Sequence, residues 1–243
     1  MIFDVLTIFP EMFDAILNES IIGRAQKQGI ITVNTINIRD FSNDKHRKTD
    51  DYPYGGGSGM VMTAQPINDA YLSIVEKAKY KPHVIYMSPQ GKVLTQDMVK
   101  KFKELNHLVI LCGHYEGIDE RIIEKIVDEE ISIGDYVLTG GELPAMVLID
   151  SISRCIPGVL SSGESYINES HYSGLLEYPQ YTRPYEYLGM TVPDVLTSGH
   201  HANIKKWRRQ QALLRTYLKR NDLFEKLKLN DEDLELLKRV LED

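Results

Sequence analysis

The residues most able to do chemistry lie in loops, not in a charged constellation. The run from Ser132 to Met146 reads as a short apolar strand that breaks at Gly134 and resumes through Tyr136, Val137 and Leu138. It breaks again at Gly140 and Gly141, just before a helix that opens at Glu142 with Pro144 in its first turn. Two glycines at such a junction leave the backbone bare, so a ligand can meet N–H and C=O groups directly. An ordinary turn between strand and helix tolerates a single Gly-Gly equally well. Two more loops of this kind change the balance. Ser88-Pro89-Gln90-Gly91-Lys92 follows the apolar run Val84 to Met87, and Gly113-His114-Tyr115-Glu116-Gly117-Ile118-Asp119-Glu120-Arg121 follows Leu108 to Cys112. The chemistry expected of three such loops is recognition of a nucleoside by main chain, with no covalent nucleophile.

Continuous apolar strands alternating with helices imply a parallel sheet covered on both faces, and ligands of such sheets sit at the carboxyl ends of the strands. The three loops are therefore expected to form one pocket. The first strand spans Ile2 to Ile8, a helix opens at Pro10 to Phe13, and Ser20 is expected to cap a second helix ending at Gly29. A strand from Ile31 to Ile36 precedes a long irregular segment, Arg39 to Met62, which carries Tyr54-Gly55-Gly56-Gly57-Ser58-Gly59-Met60. Helices are expected over 66–78, from a Thr95 cap to Leu105, from an Asp119 cap to Val127, and from Glu142 to Cys155. Arg154 falls in the last turn, where a cation suits the helix dipole.

Several classes are disfavoured. No Gly-x-x-x-x-Gly-Lys-Ser/Thr run occurs, and no Gly-x-Gly-x-x-Gly follows a strand. Cys112 and Cys155, the only two cysteines, have neither zinc nor disulfide spacing, so no metal site is expected. No signal-like leader or membrane-length apolar run is present, and a cytoplasmic protein is expected. The net charge of −7 argues against a polyanionic partner only on average. Between His200 and Asn221 there is no acid, while Lys205, Lys206, Arg208, Arg209, Arg215, Lys219 and Arg220 are basic. A helix beginning near Asn203 would gather Lys205, Arg208, Arg209, Arg215 and Lys219 on an arc of about 120°, with Ile204, Trp207, Leu214 and Leu218 opposite. That pattern predicts one packed face and one cationic stripe suited to nucleic acid. The polar stretch 161–175 reads as a flexible linker between a domain over 1–160 and a smaller, mainly helical one over 176–243.

Taken together, Tyr54 to Met60, Ser88 to Gly91, Cys112 to Arg121, Ser132 to Met146 and Tyr181-Thr182-Arg183-Pro184 resemble the TrmD family of bacterial tRNA (guanine-N1)-methyltransferases. The similarity extends from Phe9 to beyond Trp207. It implies an α/β SPOUT-type parallel sheet with a deep trefoil knot and a small helical C-terminal domain. It implies a homodimer with the active site at the subunit interface and no membrane association. The donor would be S-adenosylmethionine, leaving S-adenosylhomocysteine. The target would be N1 of the guanine immediately 3′ to the anticodon in tRNA. The donor would be held by Tyr86, Ser88, Pro89, Gln90, Gly113, Tyr115, Glu116, Gly117, Ser132, Ile133, Gly134, Asp135, Tyr136, Val137, Leu138, Gly140, Gly141 and Pro144. Guanine N1 carries a proton, so a base and a cation at O6 are needed. Arg154 matches the family's arginine for the second role. Glu169, before Ser170, stands where the family has Asp, and is the expected base. Ser58, Gly59, Arg183, Asn203, Lys205, Arg208, Arg209 and Arg215 are expected on tRNA. The resemblance leaves open whether Mg2+ assists. A SPOUT-type methyltransferase of rRNA or ribose 2′-OH, and a non-catalytic S-adenosylmethionine sensor that binds RNA, are the alternatives.

Overall fold

The computed structural model describes residues 1–160, 166 and 169–242, the last four of these by backbone alone. The chain divides into two compact units, Met1–Gly163 and Glu164–Asp243. Residues 161–165, 167 and 168 of the expected linker lie outside the described residues.

The first unit is built on a parallel sheet of β1 (Ile2–Thr7), β2 (Thr32–Asn37), β5 (His83–Val93), β6 (His107–Cys112) and β7 (Glu129–Ser132), in the order β2-β1-β6-β5-β7. Every residue of β6 is buried, which is why its sequence is an unbroken apolar run rather than an alternation. Along β1, Leu6 and Ile8 face a core that also holds Val109 and Leu111 of β6. Helices α3 (Ala64–Ala78) and α5 (Glu120–Ile126) close that core through Ile67, Ala70, Ile74, Ile122 and Ile126. Helix α6 (Glu142–Ser153) packs on β1, β6 and α4 (Gln96–Phe102). Capping follows the expected chemistry at two helices: the side chains of Thr95 and Asp119 accept from the backbone N–H of Met98 and Arg121.

Several expectations are corrected. Ser20 does not cap α2 (Ser20–Lys27); it is the first helical residue, and Glu19 holds the cap position without a side-chain bond. Gly29 does end that helix, at φ +70°, with Gly29 and Ile30 donating to the carbonyls of Gln26 and Ala25. The segment Arg39 to Met62 is not wholly irregular: β3 (Asp50–Asp51) and β4 (Val61–Met62) pair antiparallel within it. Strands of two residues leave too short an alternation to read. Tyr136 to Leu138 is no strand but a loop, with Val137 81% exposed. Finally, Ser88 to Gly91 does not follow β5 but interrupts it. Both Met87 and Lys92 lie opposite Ile131, so the four residues between them leave the ladder.

In the second unit, α8 (His201–Lys219) and α10 (Asp231–Glu242) enclose a small core of Leu175, Ala212, Leu213, Leu236 and Leu237. The hairpin β8 (Glu186–Tyr187) and β9 (Met190–Thr191) turns on Leu188 and Gly189, both at positive φ. No helix among the described residues is long and apolar enough to cross a membrane.

Candidate functional site

The excursion from β5, the loop after β6 and the loop after β7 line one cavity of about 400 Å³ at the carboxyl ends of these strands. Tyr86, Ser88, Pro89, Gln90, Gly113, Tyr115, Glu116, Gly117, Ser132, Ile133, Gly134, Tyr136, Val137, Leu138, Gly140, Gly141 and Pro144 all contribute to its wall. Of the residues expected to hold the donor, Asp135 alone is not in that wall.

Main-chain bonds hold the loops together. Gly141 N–H donates to the Gly113 carbonyl at 2.8 Å, tying the third loop to the second. Glu116 N–H donates to the Met60 carbonyl, and Met62 N–H to that of Gly117, so the glycine-rich segment before β4 borders the same site. Ser132 Oγ donates to the Gly134 carbonyl and accepts from the Gly134 N–H, closing a tight turn at the head of the third loop.

The glycines also have a packing role that the sequence did not show. A Cβ on Gly140 would stand 2.4 Å from Glu142 Oε2 and 2.7 Å from His114 Nδ1; one on Gly141 would stand 2.8 Å from the Cα of Cys112. Close packing of loop on loop by itself demands these two residues. The packing in turn fixes the backbone edges that face the cavity.

Glu142 and His114 carry this arrangement and were not singled out from sequence. Glu142 is 2% exposed, and its Oε1 accepts from Thr7 Oγ1 at 2.8 Å, while Thr7 Oγ1 accepts from Phe9 N–H. A bond thus links the end of β1 to the start of α6. Glu142 shares its face with the buried Ala145, Met146, Ile149 and Ile152, a helical spacing that was legible and marks a carboxylate inside an apolar stripe. His114 packs edge-on against Phe9 and Tyr115, and its Nδ1 is buried without a partner. Burial pushes the Cys112 thiol well above its usual range, with Glu142 adding to the shift, so at neutral pH it stays protonated and is no nucleophile. Burial, helped by Glu130 and Glu120, lifts the Tyr86 hydroxyl to about 12; it remains a neutral hydrogen-bonding group in the cavity wall.

The remaining expected residues lie on several elements of both units. Arg154 is the C-cap of α6, in the first unit, and Glu169 belongs to the second. Gly59 reaches the cavity indirectly: a Cβ there would collide with the Glu116 carboxylate. Ser58, Arg183, Asn203, Lys205 and Arg208 are exposed, and Arg215 is half-buried.

The two faces expected of α8 are corrected. Its buried side is Ala212, Leu213 and Thr216, whereas Leu218, expected to pack, is 66% exposed. On this helix the buried side overlaps the cationic arc instead of opposing it. Arg209 is consequently not a free cation. Its Nε and Nη2 each donate at 2.7 Å to the two carboxylate oxygens of Asp233 on α10, whose side chain is 5% exposed. Periodicity along one helix cannot reveal an acid supplied by another.

A parallel α/β unit whose strand-end loops close one cavity defines a protein of the α/β class with a pocket at the carboxyl ends of its strands. Comparison with known sequences then identifies the lineage. The chain belongs to the family described as tRNA (Guanine-1)-methyltransferase TrmD, whose model matches residues 1–226. It is 69% identical over 227 residues to the tRNA (guanine-N(1)-)-methyltransferase of Ruminiclostridium cellulolyticum, covering 93% of this chain and 97% of the relative. It is 62% identical over 234 residues to the like-named protein of Clostridium acetobutylicum, covering 96% and 95%. With that of Alkaliphilus oremlandii it shares 56% identity over 245 residues, covering 99% and 98%.

Proposed function

We propose that this protein is a tRNA (guanine-N1)-methyltransferase that moves a methyl group from S-adenosylmethionine to N1 of the guanine immediately 3′ to the anticodon. Membership of the TrmD family supports the reaction class. The observation that carries the reading is the single cavity made by three loops at adjacent strand ends.

The residues present fit the donor. Apolar walls from Ile133, Val137, Leu138 and Pro89 suit an adenine ring, and the Gly140 backbone lies in the same wall to meet its polar edge. Glu116 lines the same wall and supplies a carboxylate for the sulfonium or amino end. When bound, S-adenosylmethionine supplies an electrophilic methyl group.

This chain's residues meet the acceptor's needs. Glu169 takes the proton from guanine N1, and Arg154 stabilises the charge that develops on O6. Glutamate in place of aspartate reaches one methylene further, and its linker has to present the carboxylate accordingly. The target base leaves its stack at small cost because it lies in a loop. Assembly as a homodimer, with a knotted cofactor loop and the site completed at the subunit interface, and a cytoplasmic location, belong to this reading as what the family implies.

The test is incubation of the full-length protein with unmodified tRNA and S-adenosylmethionine, followed by mass spectrometry of the digested nucleosides. 1-Methylguanosine is the expected product. A 2′-O-methyl nucleoside, or no methylated product at all, would overturn the reading.

A further inference from the structure

We infer that Tyr181, with Arg208 and Arg183 beside it, forms a stacking subsite for an unpaired nucleobase of the RNA. This rests on the reading of the protein as a tRNA-modifying enzyme and specifies how its second unit would grip that substrate. Tyr178, Tyr181, Arg183, Tyr185 and Arg208 line a cavity of about 580 Å³. The Arg208 guanidinium lies 4.8 Å from the centre of the Tyr178 ring, a cation–π contact that holds it flat against the wall. Tyr181 meets Trp207 with ring centres 6.4 Å apart, and Tyr185 Oη donates to Asp194 Oδ1 at 2.7 Å. Both tyrosines are thus held on one side while 49% exposed.

Rings that only fill a core are not left half in water. Anchored aromatic surface beside guanidinium groups matches the needs of single-stranded RNA, where a base stacks and its phosphate meets a cation. Among the described residues, neither nearby acid forms an ion pair with Arg208 or Arg183; each bonds a neutral donor instead. Asp194 is occupied by Tyr185, and Glu177 accepts from Gln180 at 2.6 Å. Arg208 and Arg183 are the guanidinium groups lining this cavity; Arg209 lies outside its wall and is paired with Asp233.

The chain's single tryptophan, Trp207, touches Tyr181 and reports on the site. The experiment titrates the full-length protein with unmodified tRNA, with a short single-stranded RNA, and with an abasic strand carrying the same phosphates, following Trp207 fluorescence. The two base-bearing RNAs are expected to quench the emission and the abasic strand to leave it unchanged. Tyr181→Ala is expected to weaken tRNA binding about 5- to 100-fold without changing the salt slope, and Tyr181→Phe to restore it. Arg208→Ala is expected to lower the salt slope by about 1. Equal quenching by the abasic strand, or wild-type tRNA affinity in Tyr181→Ala, would overturn the subsite. Methylation of tRNA by a protein that fails these tests would leave the enzymatic reading standing. Stacking without methyl transfer would overturn that reading and spare the subsite.

Discussion

The two units offer surfaces of opposite kinds. In the first, the cavity edge is main chain, held by loop-to-loop bonds such as Gly141 N–H to the Gly113 carbonyl. In the second, exposed side chains present charge and aromatic surface: Arg183, Lys205, Arg208 and Tyr181. A backbone site tolerates few substitutions because each loop is packed against another. A side-chain surface can spend one of its cations on structure, as Arg209 is spent on Asp233, and keep the rest for a partner.

The largest effect is expected where the two kinds of chemistry must cooperate. Glu169→Gln should retain S-adenosylmethionine affinity in calorimetry and lower turnover about 10²- to 10⁴-fold in a single-turnover methylation assay. Full turnover would remove Glu169 from the mechanism. Next comes the backbone site. Gly140→Ala places a methyl 2.4 Å from Glu142 Oε2 and should cost about 1–3 kcal/mol of stability by overpacking, with at least a tenfold loss of donor affinity. Unchanged donor binding in this variant would break the contrast between the units.

Arginine neighbours on α8 then sharpen the comparison within the second unit. Arg209→Ala should destabilise that unit by about 1–2 kcal/mol in chemical denaturation. This is less than for a fully buried pair, because the Arg209 side chain is 43% exposed. Arg208→Ala should leave that stability nearly unchanged and alter the salt dependence of tRNA binding instead. The smallest effect follows from pH. The bond to Arg209 holds the Asp233 carboxyl below its usual range. Its contribution is complete above the unfolded-state value of about 3.9 and is lost as pH falls through the lower folded-state value. Acid titration of Arg209→Ala should lack this part of the destabilisation seen in the wild type.

How much of this was legible depended on where the information resides. The runs Val84 to Met87 and Leu108 to Cys112 announced buried parallel strands because both their faces are covered, and glycine after each marked the loops that line the cavity. The packing role of Gly140 and Gly141 was not readable. What crowds them is His114 and Cys112, distant in sequence until the loops meet, together with Glu142 on the following helix. The same limit applied to α8. Arg209 looked unpaired because Asp233 lies on another helix, and the buried side of α8 is set by Ala212 and Leu213 packing against Leu236 and Leu237 of that helix. Glu142, by contrast, was readable: its spacing with Ala145, Met146 and Ile149 placed it on the buried face.

The most direct measurement is a crystal structure of the protein grown with S-adenosylhomocysteine. The product is expected between Tyr86–Gln90, Gly113–Gly117 and Ser132–Gly141, with its adenine edge bonded to backbone N–H and C=O groups. Density for it anywhere else, or an adenine read chiefly by side chains, would contradict recognition by the three loops.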